Sequence, residues 1–405
     1  MTYKNKLAIN GGEPVRDTYL SYGRQWLDDK DIQAVVDVLK GDFLTTGPSI
    51  TLFERKIAEY VGVKYAVAFS SGTAALHGAC FAAGISQGDE VITTPMTFAA
   101  TANCILFQGG KPIFADINPK TYNINPESIK KQITKKTKAI IPVDFTGQPA
   151  DFDKIHQIAQ KYNLIVIEDA AHALGAIYKG KKVGSINDMT MFSFHPVKHI
   201  TTGEGGIITT NHKKFYEKLM QFRTHGITRE PTKLMENHGS WYYEMQSLGY
   251  NYRITDIQAA LGSSQLKKLN SYIDRRKRYA ELYNQAFTKV EQLNIPYQEC
   301  DRKSSWHLYV IQLKLEQLTA GRKEIFNALT KENIGVNVHY IPVYFQPYYQ
   351  NLGYKKGLCP IAEKIYEEII TLPLFPLMTE SDVKDVIRAV KKVILYYSKD
   401  KGAPV

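Results

Sequence analysis

The sequence predicts an α/β fold with a mostly parallel central sheet, helices on both faces and a smaller C-terminal α/β domain. Three observations carry that prediction. Apolar runs of strand length alternate with helical spacing through the first half of the chain, the pattern of a parallel sheet covered on both faces. Small polar turns follow several of these runs, where ligands bind in such sheets. The chain has 405 residues, long for one core and suited to two lobes. The boundaries expected are an arm over 1–26, a large domain over 27–266 and a small domain over 267–405.

Composition narrows the class of protein. With 44% hydrophobic and 22% charged residues, a soluble globular chain is the expectation. The apolar stretch Tyr65 to Ile85 is broken by Ser70-Ser71-Gly72-Thr73 and His77, so no membrane span is expected. The start, Met1 to Lys6, leads into polar sequence and predicts no signal peptide. Cys80, Cys104, Cys300 and Cys359 have no metal-ligand spacing, and reduced thiols in a cytoplasmic protein are expected, with no metal. The formal charge of +11 comes without a nucleic-acid module and argues only for an anionic small molecule; the run Arg275-Arg276-Lys277-Arg278 reads as a solvated face.

The elements follow in order. Asp28 caps a helix with Ile32, Val35, Val36 and Leu39 on one face, and the glycine-bounded loop Gly41 to Pro48 leads to a second helix, Ile50 to Val61. Strands are expected at Tyr65 to Phe69, Glu90 to Thr94, Lys111 to Asp116, Ala139 to Val143, Val166 to Asp169, Met189 to Phe194 and Gly206 to Thr210. Helices are expected near 126–134 and 151–161. An irregular aromatic segment, Phe222 to Tyr243, is a candidate mobile loop. Thr255 and Asp256 open a helix to Leu266. Helix Ser271 to Phe287, strand His307 to Leu313, helix Arg322 to Glu332, strand Val336 to His339 and helix Ser381 to Tyr397 make the small layer, followed by a frayed tail, Ser398 to Gly402.

Three of the polar turns carry chemistry together. Ser71-Gly72-Thr73, between a strand and a small-residue helix, offers free N–H groups to an anion. Glu168-Asp169-Ala170-Ala171-His172 puts a carboxylate and an imidazole at a strand end, with Glu168 alternating to the other face in a structural role and His172 one helical turn further on. Ser193 and Lys198 stand between two apolar runs in a loop that ends Gly203-Glu204-Gly205-Gly206. A lysine for an aldehyde, a carboxylate for a pyridinium nitrogen and donors for a phosphate are the set that pyridoxal phosphate needs.

Ser-Gly-Thr-Ala-Ala-Leu at 71–76, Glu-Asp-Ala-Ala-His at 168–172, Phe-Ser-Phe-His-Pro-Val-Lys at 192–198 and Gly-Tyr-Asn-Tyr-Arg at 249–253 resemble the fold-type I sugar-nucleotide aminotransferases, the DegT/DnrJ/EryC1/StrS family. The resemblance spans nearly the whole chain, and the C-terminal half is most similar to the pseudaminic acid branch. It implies that Lys198 forms the Schiff base and shuttles the proton, and that Asp169 faces the ring nitrogen. Phe98 would stack on the ring, His172 contact its 3-hydroxyl, and Ser71, Gly72, Thr73 and Ser193 hold the phosphate. Asn251 would reach the phosphate of a neighbouring subunit in a homodimer with shared active sites.

For the sugar, the resemblance implies Tyr22, Asp42, Phe43, Leu44, Thr45 and Arg253, with Val338, His339, Tyr340 and Ile341 as an aromatic wall. The activity implied is transfer of an amino group from an amino acid, L-glutamate in most of the family, to C4 of a UDP-linked 4-keto-6-deoxy-N-acetyl amino sugar. The alternatives are the same chemistry on another nucleotide-linked keto sugar, of the perosamine or aminoarabinose type, and a non-catalytic regulator with this fold. Lys198 stands where the family's dehydratases carry histidine, which argues against a dehydratase.

Overall fold

The computed structural model describes residues 6–399. The expectation for the extreme N-terminus concerns mainly residues 1–5, and that for a frayed end mainly 400–402; these lie outside the described residues.

Capping places the first helices. The Asp28 carboxylate accepts from the Asp31 amide and the Asp28 amide donates in return to the Asp31 carboxylate, opening α1 (Asp29–Leu39). Pro48 stands in the first turn of α2 (Pro48–Val61), where its missing N–H costs nothing. Then come β1 (Tyr65–Phe69), α3 (Gly72–Ala82), β2 (Glu90–Thr93), α4 (Ala100–Phe107), β3 (Lys111–Phe114), α5 (Pro126–Gln132), β4 (Thr137–Ile141), α6 (Phe152–Tyr162), β5 (Ile165–Asp169), β6 (Met189–Ser193) and β7 (Gly206–Thr210). These strands form one sheet in the order β1-β7-β6-β5-β4-β2-β3. All its pairs are parallel except those of β7, which runs against both neighbours. The register sets Gly206 opposite both Phe69 and Ser193, and Asp169 opposite Met191, so the site-bearing ends of four strands lie at one edge.

Apolar clusters fill both faces of the sheet. Val67, Phe69, Met189 and Ile208 pack under α3 and α7 (Lys213–Phe222). Ile140 and Val166 pack against Phe152 and Ile155 of α6 on the other side. A capping box of Thr255 and Gln258 starts α8 (Asp256–Leu266), which lies against α1 and α2.

The long α9 (Leu269–Phe287) leads to the small lobe, where β8 (Leu293–Asn294), β9 (Tyr309–Leu313) and β10 (Ile369–Leu372) form an antiparallel sheet. Around it stand α10 (Arg322–Lys331), α11 (Pro347–Asn351), α12 (Pro360–Glu368) and α13 (Glu380–Tyr397). The arm residues Leu7 and Leu20 are buried in the core of this lobe.

Several expectations change. Val336 to His339 is not a strand: only Asn337 bridges to Thr371, and the Val338 amide is taken by the Asn337 side chain at 2.8 Å, which ends the ladder. His172 follows no helical turn; Ala173 and Ala176 amides close tight turns onto Ala170 and Ala173, at 2.8 and 2.9 Å. The segment 222–243 is only partly irregular, since Ile227–Thr228 pairs with Glu244–Met245. At the C-terminus, Ser398 bridges to Leu318 and the Lys399 amide donates to Gln317 at 3.0 Å, so the first tail residues are held. Arg276 is buried at 1% exposure, not solvated, because α9 carries it beneath the 306–307 and 374 segments.

Cys80 and Cys104, remote in sequence, sit on adjacent helices with their Sγ atoms 3.5 Å apart. No helix among the described residues is long and apolar enough to cross a membrane.

Candidate active site

A cavity of about 670 Å³ opens at the site-bearing strand ends, between the two lobes. Of the residues expected at a site, it brings together Lys198, Asp169, His172, Phe98, Ser193, Ser71, Gly72 and Thr73 from the large lobe. Tyr22 of the arm and Val338, His339, Tyr340 and Ile341 of the small lobe complete the wall. The backbone reason is local: β1 ends two residues before Ser71, β6 ends on Ser193, and the Leu374 amide fixes the arm by donating to the Tyr22 carbonyl at 3.2 Å. The Tyr22 and His339 rings then meet at 5.5 Å.

Six expected residues lie elsewhere. Asp42, Phe43, Leu44 and Thr45 are exposed in the loop before α2; Leu44 accepts from the Asp256 amide at 2.9 Å, and Thr45 bridges to Thr255. Asn251 is exposed and bridges to Thr224, while Arg253 stands two residues on, outside the cavity.

Asp169 is 4% exposed, and burial pushes its carboxyl above the usual range. Two hydrogen bonds oppose that: Thr101 Oγ1 donates to Oδ2 at 2.6 Å, and the Ala171 amide to Oδ1 at 3.1 Å. Thr97, in the turn before α4, joins Thr101 at 2.7 Å and so backs the hydroxyl that meets the carboxylate. Glu168 points away and accepts from Asn187 and Thr190 at 2.8 and 2.6 Å.

The Lys198 amine is lowered to about 8, first by burial, with Asp169 pulling upward and the Arg276 charge pushing downward. A lysine there is part amine near neutral pH, which an isolated surface lysine is not. Around it burial holds His172, His199 and His307 well below the ordinary imidazole range, and His339 at about 3. These rings are neutral. His172 Nε2 meets the Tyr340 hydroxyl at 3.0 Å, leaving its buried Nδ1 without a partner among the described residues.

This arrangement fits pyridoxal 5'-phosphate. Ser71 Oγ accepts from the Ala74 amide at 3.1 Å as the N-cap of α3, leaving its own hydrogen for a phosphate. A Cβ on Gly206 would come within 2.6 Å of the Ser71 carbonyl, so only glycine lets β7 lie against the anion turn. Asp169 supplies a buried carboxylate, the orphaned His172 Nδ1 a free ring nitrogen, and Lys198 the amine.

Four functional neighbours escaped the sequence reading: Thr97, Thr101, His307 and Arg276. Thr101, His307 and Arg276 stand in no polar turn after a strand, and Thr97 follows β2 in a turn read only for Phe98. A signal existed only for Thr101, a hydroxyl in the first turn of an otherwise apolar helix, and for Thr97 in the turn that leads into it.

Comparison with known proteins is consistent with the geometry. Residues 25–391 match the model of the DegT/DnrJ/EryC1/StrS aminotransferase family. The chain is 43% identical over 381 residues to the spore coat polysaccharide biosynthesis protein SpsC of Bacillus subtilis, covering 94% of this chain and 98% of that one. It is 40% identical over 370 residues to the UDP-4-amino-4,6-dideoxy-N-acetyl-beta-L-altrosamine transaminase of Campylobacter jejuni, covering 91% and 95%. Among solved structures, Helicobacter pylori PseC, an aminotransferase involved in pseudaminic acid biosynthesis, superposes with a TM-score of 0.87 at 34% identity, covering 94% and 100%.

Proposed function

The chain belongs to the DegT/DnrJ/EryC1/StrS aminotransferase family and is a pyridoxal 5'-phosphate-dependent sugar aminotransferase, and from that premise we propose its substrates. The amino group comes from an amino acid, L-glutamate, and goes to C4 of a UDP-linked 4-keto-6-deoxy-N-acetyl amino sugar. The product is UDP-4-amino-4,6-dideoxy-N-acetyl-β-L-altrosamine, a precursor of pseudaminic acid. The observation that carries the reading is the placement of the Lys198 amine on a cavity whose far wall is Tyr22, His339 and Tyr340. Aromatic rings with polar tips suit a sugar, and the relatives that share the fold act in aminosugar pathways.

When bound, the cofactor supplies an aldehyde for amine capture and a ring that takes up the electron pair left at the α-carbon. The chain does the rest. Lys198 would hold the cofactor through its aldehyde, and its amine, once freed by the amino donor, would carry the α-proton. A pKa of about 8 suits a base that must also return the proton. Asp169 would stand against the ring nitrogen, where hydrogen bonds from Thr101 and the Ala171 amide favour its carboxylate against the upward pull of burial. The turn 71–73 and Ser193 would hold the phosphate, and Phe98, 64% exposed at the mouth, would cover the ring.

The working unit is a cytoplasmic homodimer. Asn251 and Arg253, outside their own cavity, serve the site of the other chain, and the exposed loop Asp42 to Thr45 meets the sugar across the same boundary. A second reading, the same transfer to a different nucleotide-linked keto sugar, is favoured by the 43% identity to SpsC.

The donor half is tested by adding L-glutamate to the loaded enzyme. The absorbance of the lysine-bound cofactor should give way to that of the pyridoxamine form, with one equivalent of 2-oxoglutarate per site. No change with glutamate, and a change with another amino acid, would move the donor assignment.

A further inference from the structure

His307 reaches the Lys198 amine from the small lobe, its Nε2 3.5 Å from Nζ. The ring is 4% exposed, lines the cavity and leans on His172 with centroids 4.4 Å apart. Its backbone is gripped twice: the amide donates to the Thr146 carbonyl at 2.9 Å, and the carbonyl accepts from Arg276 Nη1 at 3.0 Å. The same Nη1 donates to the carbonyls of Leu374 at 2.6 Å and Trp306 at 3.4 Å.

Arg276 is 1% exposed, its Nε has no partner, and no carboxylate of the described residues pairs with it. Burial draws it down to about 9, which leaves it cationic at neutral pH. An uncompensated buried cation costs stability that an apolar side chain of the same length would not. Packing alone therefore gives no reason for it.

We propose that His307 is a catalytic residue of the transfer and Arg276 its positioning residue: the neutral imidazole accepts a hydrogen bond from the Lys198 amine and turns it toward the cavity, while Arg276 fixes His307 and sets a positive charge behind the lysine. This rests on Lys198 being the reacting amine. When Nζ takes a proton from the α-carbon, its lone pair forms the new N–H bond, and one of the three hydrogens is then held by Nε2. His307 gains no proton, and carries its own on Nδ1. The 3.5 Å separation is that of a catalytic contact before substrate closes it.

Charge gives the two residues opposite signatures. Facing Lys198 and His307 are Asp169, Arg276 and the neutral rings of His172, His199 and His339. A neutral acceptor favours the ammonium; a neighbouring cation favours the amine, as at other lysines activated beside a positive charge. Losing His307 therefore lowers the lysine's pKa, and losing Arg276 raises it.

The test follows the rate at which the cofactor-free enzyme binds pyridoxal 5'-phosphate to Lys198, by absorbance, across pH. The wild-type rate should inflect near the lysine's value of about 8. His307→Leu should move the inflection down and slow the high-pH plateau about tenfold, the loss of the one hydrogen bond that orients the neutral amine. His307→Gln, which keeps an acceptor, should recover most of that, and Arg276→Met should move the inflection up. Equal behaviour of the Leu and Gln variants overturns the proposal, as does a shift of His307→Leu and Arg276→Met in the same direction. Should His307→Leu not fold, an Arg276→Met inflection at or below the wild-type value overturns it. A wild-type protein that never develops the absorbance would sink the role of Lys198 itself, an outcome distinct from variants that match wild type.

Discussion

Thr101 and Asp169 show what one hydroxyl does for a buried carboxylate. Burial raises the acid's pKa, and the 2.6 Å bond from Thr101 opposes it. Thr101→Val keeps the shape and removes the donor, so the carboxyl titrates at higher pH. A group whose pKa is raised is protonated earlier as pH falls, and a protonated Asp169 no longer holds the pyridinium charge. Cofactor affinity should therefore fall about tenfold near neutral pH, the value of a hydrogen bond to a charged group. The loss of affinity on acidification should also begin at higher pH than in wild type. Fluorescence titration with cofactor from about pH 5 to 8, the range in which carboxylates and their buried relatives titrate, reads both effects; matching curves would deny Thr101 its role. At this scale Lys198 and Asp169 were legible because a polar residue after an apolar run is exceptional. Thr101, on a buried helix, and Arg276, in a run of four basic residues, were not: only tertiary packing tells them from their neighbours.

Among the elements, the seven sheet strands were legible because each is a short apolar run closed by a turn. The segment 336–339 has a strand's composition but spends its hydrogen bonds on the Asn337 side chain, a choice composition does not record. In the other direction, β10 escaped notice between a helix and Pro373, although Ile369-Ile370-Thr371-Leu372 is a β-prone run. The contact of β7 with the first turn of α3 is the element-scale feature most exposed to a single change. Gly206→Ala sets a Cβ 2.6 Å from the Ser71 carbonyl and 2.7 Å from Gly72 Cα, and backbone cannot move aside as a side chain can. Overpacking of this kind costs about 1–3 kcal/mol, and the strain falls on the phosphate turn. The variant should melt at lower temperature and bind the cofactor at least about tenfold more weakly, since about 1.4 kcal/mol is a factor of ten. An unchanged dissociation constant would separate that turn from the phosphate.

In the whole molecule, the site depends on how two lobes close. Met96, Phe114 and Phe145 of the large lobe share one apolar cluster with Leu308, Val343 and Tyr344 of the small lobe, and the cavity opens beside that joint. Docking of the small lobe brings His307 to Lys198 and the 337–341 wall to the cavity, while the arm delivers Tyr22. The sequence marked the aromatic wall only through resemblance to a family, since the same residues suit a protein interface equally well. The claim that this joint receives a UDP-linked 4-keto sugar is met most directly by loading the enzyme as its pyridoxamine form and adding 4-keto sugars of L-arabino and D-xylo configuration. Absorbance of the lysine-bound cofactor should return faster with the L-arabino sugar, with the 4-amino sugar as product. A preference for D-xylo would contradict the pseudaminic acid assignment, and no return with either would contradict the substrate class itself.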